Sequence, residues 1–145
     1  YSAKKSARKK DLVSAFMSYQ SLLTNFPDSK YTQEALFAVA EYYFLMGDYS
    51  DARPLFVRFV SEFPDAKAKP FALVALAKIA EKHSQESLAE YLKKEIITSQ
   101  QLVLLFRDFK EFQYLSPLNR RYKAVHFIDK VEFYIDGEPF AQIAY

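Results

Sequence analysis

Apolar residues recur at three- and four-residue spacings through most of this chain, and the recurrences repeat. Ala35, Leu36, Val39, Ala40, Tyr43 and Phe44 form a wide apolar stripe on one predicted helix. Gly47-Asp48 then interrupts the pattern. Glycine accepts the left-handed conformation at a helix end, and the aspartate is placed to cap the next helix. Ala52, Leu55, Phe56, Phe59 and Val60 make a second stripe that stops at Phe63-Pro64. Proline cannot continue an α-helix and pushes the residue before it towards extended geometry. The unit predicted is helix, tight turn, helix, proline turn.

That unit recurs at a fixed offset. Phe26-Pro27-Asp28 returns 37 residues later as Phe63-Pro64-Asp65. The same offset carries Asp11 to Asp48, Ala15 to Ala52, Lys30 to Lys67, Ala35-Leu36 to Ala72-Leu73, and Ala40 to Ala77. A period in this range marks an array of stacked supersecondary units, which usually presents surfaces to partners rather than a catalytic cleft. The fold class expected is mainly α: a helical-repeat array over residues 1–115, then a linker and β-hairpin over 116–145. Residues 1–10 align with 38–47, so the chain is expected to open inside a truncated helix. The third unit is eroded: Ala89 matches Ala52, but Lys93 replaces Phe56. Residues 102–115 are predicted to form a capping helix with Leu102, Leu105, Phe106, Phe109 and Phe112 as its stripe.

Two prolines bear on the helices. Pro70 falls near a helix start, where its missing N–H costs nothing. Pro54 would sit past the first turn of a helix starting at Tyr49, so a late start or a distorted first turn is expected there.

Beyond Ser116-Pro117 the period changes from helical to two. Val131-Glu132-Phe133-Tyr134-Ile135 alternates, Asp136-Gly137 follows, and Phe140 to Tyr145 continues. Asp-Gly between two such runs signals a two-residue hairpin turn, with Pro139 restricted to an edge position. An isolated hairpin is marginal in water, so it must pack on the helices or pair elsewhere.

Composition narrows function by exclusion. Half of the 145 residues are hydrophobic, enough for a packed globular core. Cysteine is absent, which excludes disulfides, thiolate metal sites and cysteine nucleophiles. His83 and His126 stand far apart with no metal-ligand spacing; His83 belongs in a turn and His126 is read as structural. With only two glycines there is no phosphate-cradling loop. Asp48 and Asp51 suit capping better than acid–base work. No cofactor, metal or catalytic residue is anticipated.

Charge is unevenly placed. Lys4, Lys5, Arg8, Lys9 and Lys10 lie together, which leaves 15 basic against 18 acidic residues in the remainder. The cluster reads as a solvated helix face. Arg120, Arg121 and Lys123 flank Tyr122, on which a base could stack, but the acidic balance of the central repeats argues against a phosphate track and a nucleic-acid partner. No apolar run approaches the ~18 residues of a membrane span. A start at Tyr1 is what a processed chain shows, so membrane attachment is expected only through a signal or lipid anchor lying upstream.

The residues resemble the tetratricopeptide repeat. Its pattern reads here as Leu36-x2-Val39-Ala40-x2-Tyr43, then Gly47-Asp48-Tyr49, then Ala52-x3-Phe56, then Pro64. Leu36 stands where tryptophan is commonest, Val39 for leucine and Ala40 for glycine. The period exceeds the usual length of about 34, and the extra residues follow the Phe-Pro. That longer unit is similar to repeats of bacterial envelope proteins. One such group is the lipoprotein component of the outer-membrane β-barrel assembly machine; another is the periplasmic coordinator associated with the Tol-Pal system. The resemblance covers about residues 1–95 and implies a right-handed superhelix in which the first helix of each pair lines a concave groove. By it, Glu34, Phe37, Glu41, Phe44 and Leu45 face inward from one unit and Phe71, Val74, Lys78, Glu81 and Lys82 from the next. Lys4 and Arg8 do so from the truncated one. An apolar floor with charges of both signs suits an extended peptide or a partner helix; the same aromatics could equally be core. The function implied is a non-catalytic interaction scaffold of a bacterial envelope assembly, in the periplasm or on the inner face of the outer membrane, with the cytoplasm as the alternative. Competing readings are an accessory domain of a larger polypeptide whose chemistry lies elsewhere, and an assembly subunit that polymerises through its repeat ends.

Overall fold

A computed structural model describes residues 2–99, 102–103 and 111–145, with side chains from residue 11 onwards. Five helices come first: α1 (Ser2–Asn25), α2 (Thr32–Leu45), α3 (Tyr49–Glu62), α4 (Lys69–Lys82) and α5 (Glu86–Ile97). Each packs against the next along the chain. Four strands follow as an antiparallel meander in the order β1 (Glu111–Leu115), β2 (Arg121–His126), β3 (Lys130–Ile135), β4 (Glu138–Ala144).

The turn between α2 and α3 has the geometry its sequence asks for. Gly47 adopts φ +80, its N–H bonds the carbonyl of Phe44, and the Asp48 N–H reaches back to Tyr43 at 2.8 Å. This is a Schellman closure, which satisfies carbonyls the helix would otherwise leave open. Asp48 occupies the N-cap position of α3, but its side chain makes no capping hydrogen bond. One repeat later the same closure joins α4 to α5. Ser84 takes the place of Gly47 at φ +57, and the Gln85 N–H reaches Ala80 at 2.8 Å.

Two expectations about the helices are corrected, and α1 differs from the helix it aligns with. α1 runs unbroken through Lys10-Asp11, because no glycine or proline stands where Gly47 stops α2. α3 begins at Tyr49 and continues through Pro54, so there is no late start; proline has no N–H to bond the Ser50 carbonyl. Of the helix expected over 102–115, residues 102–103 are helical, 111–115 are strand β1, and Leu105, Phe106 and Phe109 lie outside the described residues. Pro70 falls in the first turn of α4, as expected.

The expected hairpin is β3–β4, and it forms half of the sheet. Asp136 and Gly137 both have positive φ, +51 and +82, which matches the twist of a two-residue turn. Pro139 lies on β4, an edge strand. Pairing skips Phe140, so this bulge turns both Phe140 and Ala141 towards the core.

One face of the sheet lies across α2 and α4. Phe112, Tyr122, Ala124, Val131, Phe133 and Ile143 are buried and belong to the same apolar cluster as Leu36, Phe37, Phe56, Phe71 and Val74. Sheet and helices therefore share one core. The hairpin meets its need for burial by packing on the array and by pairing with β2.

Ser84 holds a left-handed conformation that costs an L-residue about 1 kcal/mol and glycine little. Ser84→Gly is therefore expected to raise stability by about 1 kcal/mol, read as a higher urea midpoint at unchanged slope; a lower midpoint would contradict the turn geometry.

Candidate functional site

The concave surface of α2 and α4 is roofed by the chain's own sheet. Phe71, on α4, meets Phe112 at 5.7 Å, Tyr114 at 6.0 Å, Tyr122 at 5.1 Å and Phe133 at 5.9 Å between ring centroids. Phe37, one repeat earlier on α2, meets Tyr114 at 5.7 Å and Tyr122 at 6.1 Å on the sheet side. On the helix side it meets Phe56 and Phe59. Phe44 touches Phe140 at 5.7 Å, and Lys78 lies 5.5 Å from the centre of the same ring. Each such aromatic pair contributes about 0.5–1.5 kcal/mol beyond area burial.

These contacts sort the residues anticipated for the groove. Phe37, Glu41, Phe71 and Val74 are buried beneath the sheet or between helices. Phe44, Leu45 and Lys78 are half-buried, while Glu34, Glu81 and Lys82 are exposed. Glu34 accepts a hydrogen bond from Tyr19 at 3.1 Å, and Glu81 lies 3.8 Å from Lys93. The side chains of Lys4 and Arg8 lie outside those described. The anticipated residues thus divide into a covered floor and an accessible margin.

Glu41 is the exception within the floor. It has no exposed surface, and its Oε2 accepts a hydrogen bond from the Tyr122 hydroxyl. Burial pushes its carboxyl up to about 7, while the Tyr122 hydrogen bond, the nearby Ser116 hydroxyl and the charge of Arg120 pull the other way. Burial and the Glu41 charge together hold the Tyr122 hydroxyl well above its usual range. Arg120 Nη1 bonds Asp136 Oδ2 at 3.1 Å, and Asp136 Oδ1 accepts the Arg121 N–H at 2.9 Å. Ser116 is buried, and its hydroxyl oxygen accepts the Arg120 N–H at 3.0 Å. Sequence reasoning placed Glu41 on the concave face but missed its partner Tyr122 and the neighbouring Ser116, Arg120 and Asp136. The available signal was a carboxylate on the otherwise apolar stripe of α2, together with alternation in Phe112-x-Tyr114 and Tyr122-x-Ala124.

Other candidate groups are also placed. Tyr122 points into the core at 5% exposure, so it offers no ring for a nucleic-acid base, and Arg120 beside it is paired with Asp136. Lys123 lies over the Tyr134 ring at 5.0 Å and 3.8 Å from Glu111. His83 is exposed in the α4–α5 turn, and His126 hydrogen-bonds the Tyr145 hydroxyl. Among the described residues, no group of three His, Asp or Glu side chains is placed to hold a metal, and no helix is long and apolar enough to cross a membrane. A cavity of about 580 Å³ lies between α1 and the β1–β2 loop, lined by Asp11, Leu12, Leu118, Arg120 and Asp136 among others.

Comparison with protein families matches the tetratricopeptide repeat to residues 34–66, which take in most of α2, its Schellman turn, α3 and the proline turn. The chain therefore carries a repeat of this type within its stacked helices. Such repeats generally mediate protein–protein interactions and are generally non-catalytic. No characterised protein matches the chain.

Asp136 ties the β3–β4 turn to the loop beside Glu41. Asp136→Ala removes an acceptor for two donors and places alanine at positive φ, so it is expected to cost about 1–3 kcal/mol. Asp136→Asn, which tolerates that φ and keeps an oxygen for Arg121, should recover most of the loss in urea unfolding. Equal costs for the two variants would contradict this role.

Proposed function

We propose that the chain is a non-catalytic protein-interaction scaffold of a bacterial cell-envelope assembly, engaging a peptide or helix of another protein along the concave side of its array. The observation that carries this reading is the tetratricopeptide unit at residues 34–66 inside a stack of five helices. Stacked helical pairs build extended surfaces suited to an elongated partner. The envelope assignment is supported by the 37-residue unit, with its extra residues after the Phe-Pro turn. In that setting the chain would work in the periplasm or at the inner face of the outer membrane.

The sheet limits where a partner can sit. With Phe37, Phe71 and Val74 covered, the margin formed by Glu34, Leu45, Lys78, Glu81 and Lys82 is the accessible part of the lining among the described side chains. Its charges are of both signs. They would select partners by charge pattern and set the association rate more than the final affinity.

Glu81 and Lys82 are exposed, so reversing their charges leaves the core untouched. In a pull-down from bacterial envelope extract, the Glu81→Lys/Lys82→Glu pair is expected to recover at least about tenfold less of the partner than wild type, with an unchanged helical circular-dichroism signal. Equal recovery would count against the concave margin as the binding surface.

A further inference from the structure

Glu41 sits where the helical array and the sheet meet. One carboxylate oxygen accepts from Tyr122 on β2, and the other has no hydrogen-bond partner among the described residues. The titratable and polar groups that act on it come from the sheet side. Tyr114 lies on β1 and Tyr122 on β2, Ser116 and Arg120 lie in the β1–β2 loop, and Asp136 lies in the β3–β4 turn. On α2 itself the next carboxylate is Glu34, two turns away and held by Tyr19. Arg120 is the obvious counter-charge, yet its Nη1 is committed to Asp136 and its Nε is buried without a partner. An ionised Glu41 is thus poorly compensated while the sheet is docked and fully hydrated once the sheet lifts.

We propose that Glu41 is a proton-controlled clasp between the helical array and the sheet: protonated, it holds the sheet on α2 and α4, and ionised, it loosens the sheet from them. Loosening uncovers the aromatic floor around Phe37, Phe71 and Val74. The inference concerns the attachment of the sheet and stands whether or not a partner uses the groove.

The direction follows from proton linkage. Burial raises the docked carboxyl to about 7 from 4.5, so the docked state binds the proton more tightly than the open state. The stabilising contribution is complete below about pH 4.5 and is lost as pH rises through about 7. Between about pH 5.5 and about pH 8.5 the open fraction should increase roughly thirtyfold. Docking is biased rather than abolished, since the aromatic contacts remain.

The test is amide hydrogen exchange on the whole chain across that pH range, corrected for the intrinsic pH dependence of exchange. β2 and β3 amides are read against those of α3. In wild type the strand amides are expected to lose protection about thirtyfold relative to α3. In Glu41→Gln, which mimics the protonated carboxyl, the relative protection should be flat with pH. In Tyr122→Phe, which removes a hydrogen bond that lowers the Glu41 pKa, the midpoint should move upward. Parallel loss in α3 and the strands would show a global effect and overturn the proposal, as would a Glu41→Gln variant that keeps the wild-type pH dependence. Carbon-13 titration of the Glu41 carboxyl in wild type gives an answer that needs no variant. A midpoint near 7 supports the clasp, and one near 4.5 overturns it.

Discussion

Phe71 is the contact on which the architecture depends. Its ring projects from the concave face of α4 and touches aromatic residues of three different strands, Phe112 and Tyr114 on β1, Tyr122 on β2 and Phe133 on β3. A helical-repeat array cannot bury its concave face by stacking alone, and a four-stranded meander cannot be stable with both faces in water. Each supplies what the other lacks. Phe37 repeats the arrangement on α2, so the same repeat that generates the groove also generates two aromatic anchors for its cover. The sheet is thereby part of the core rather than an appendage.

Within that apolar contact lies one carboxylate, and the cost of desolvating it shapes the seam. Tyr122 supplies a hydrogen bond, and Arg120 supplies charge from the loop above, partly drawn off by Asp136. Exposed charges elsewhere, such as Arg58 with Glu62, sit in solvent and contribute little by comparison. The polarity of the concave side is thus split: a buried, environment-sensitive group under the sheet, and hydrated charges of both signs along the margin. The proposed interaction role uses the second, and the clasp uses the first.

Much of the helical part was legible from residues. Gly47 and Pro64 bound α2 and α3 because their backbone restrictions act locally, and the 37-residue offset transferred the same elements to α4. Asp136-Gly137 was legible for the same reason. What was not legible depended on tertiary context. Lys10 stands where Gly47 would be, and without a stop signal α1 continued. Phe112 fits a helical stripe with Phe109 and also a strand alternation with Tyr114, and pairing with Ala124 decided for the strand. Aromatic spacing on α2 and α4 marked an apolar face. Spacing alone does not say whether another molecule or the chain's own sheet covers it. That choice rests on contacts between residues some forty to eighty positions apart, such as Glu41 with Tyr122.

The sheet covers the concave face, with Phe71 at the centre of the contact. The most direct measurement is a nuclear Overhauser experiment on the intact chain carrying isotope-labelled Phe and Tyr rings. Cross-peaks from the Phe71 ring to the rings of Phe112, Tyr122 and Phe133, at a pH below 7, are the result this account requires. A Phe71 ring with cross-peaks only to helix residues would contradict it and return the groove to solvent.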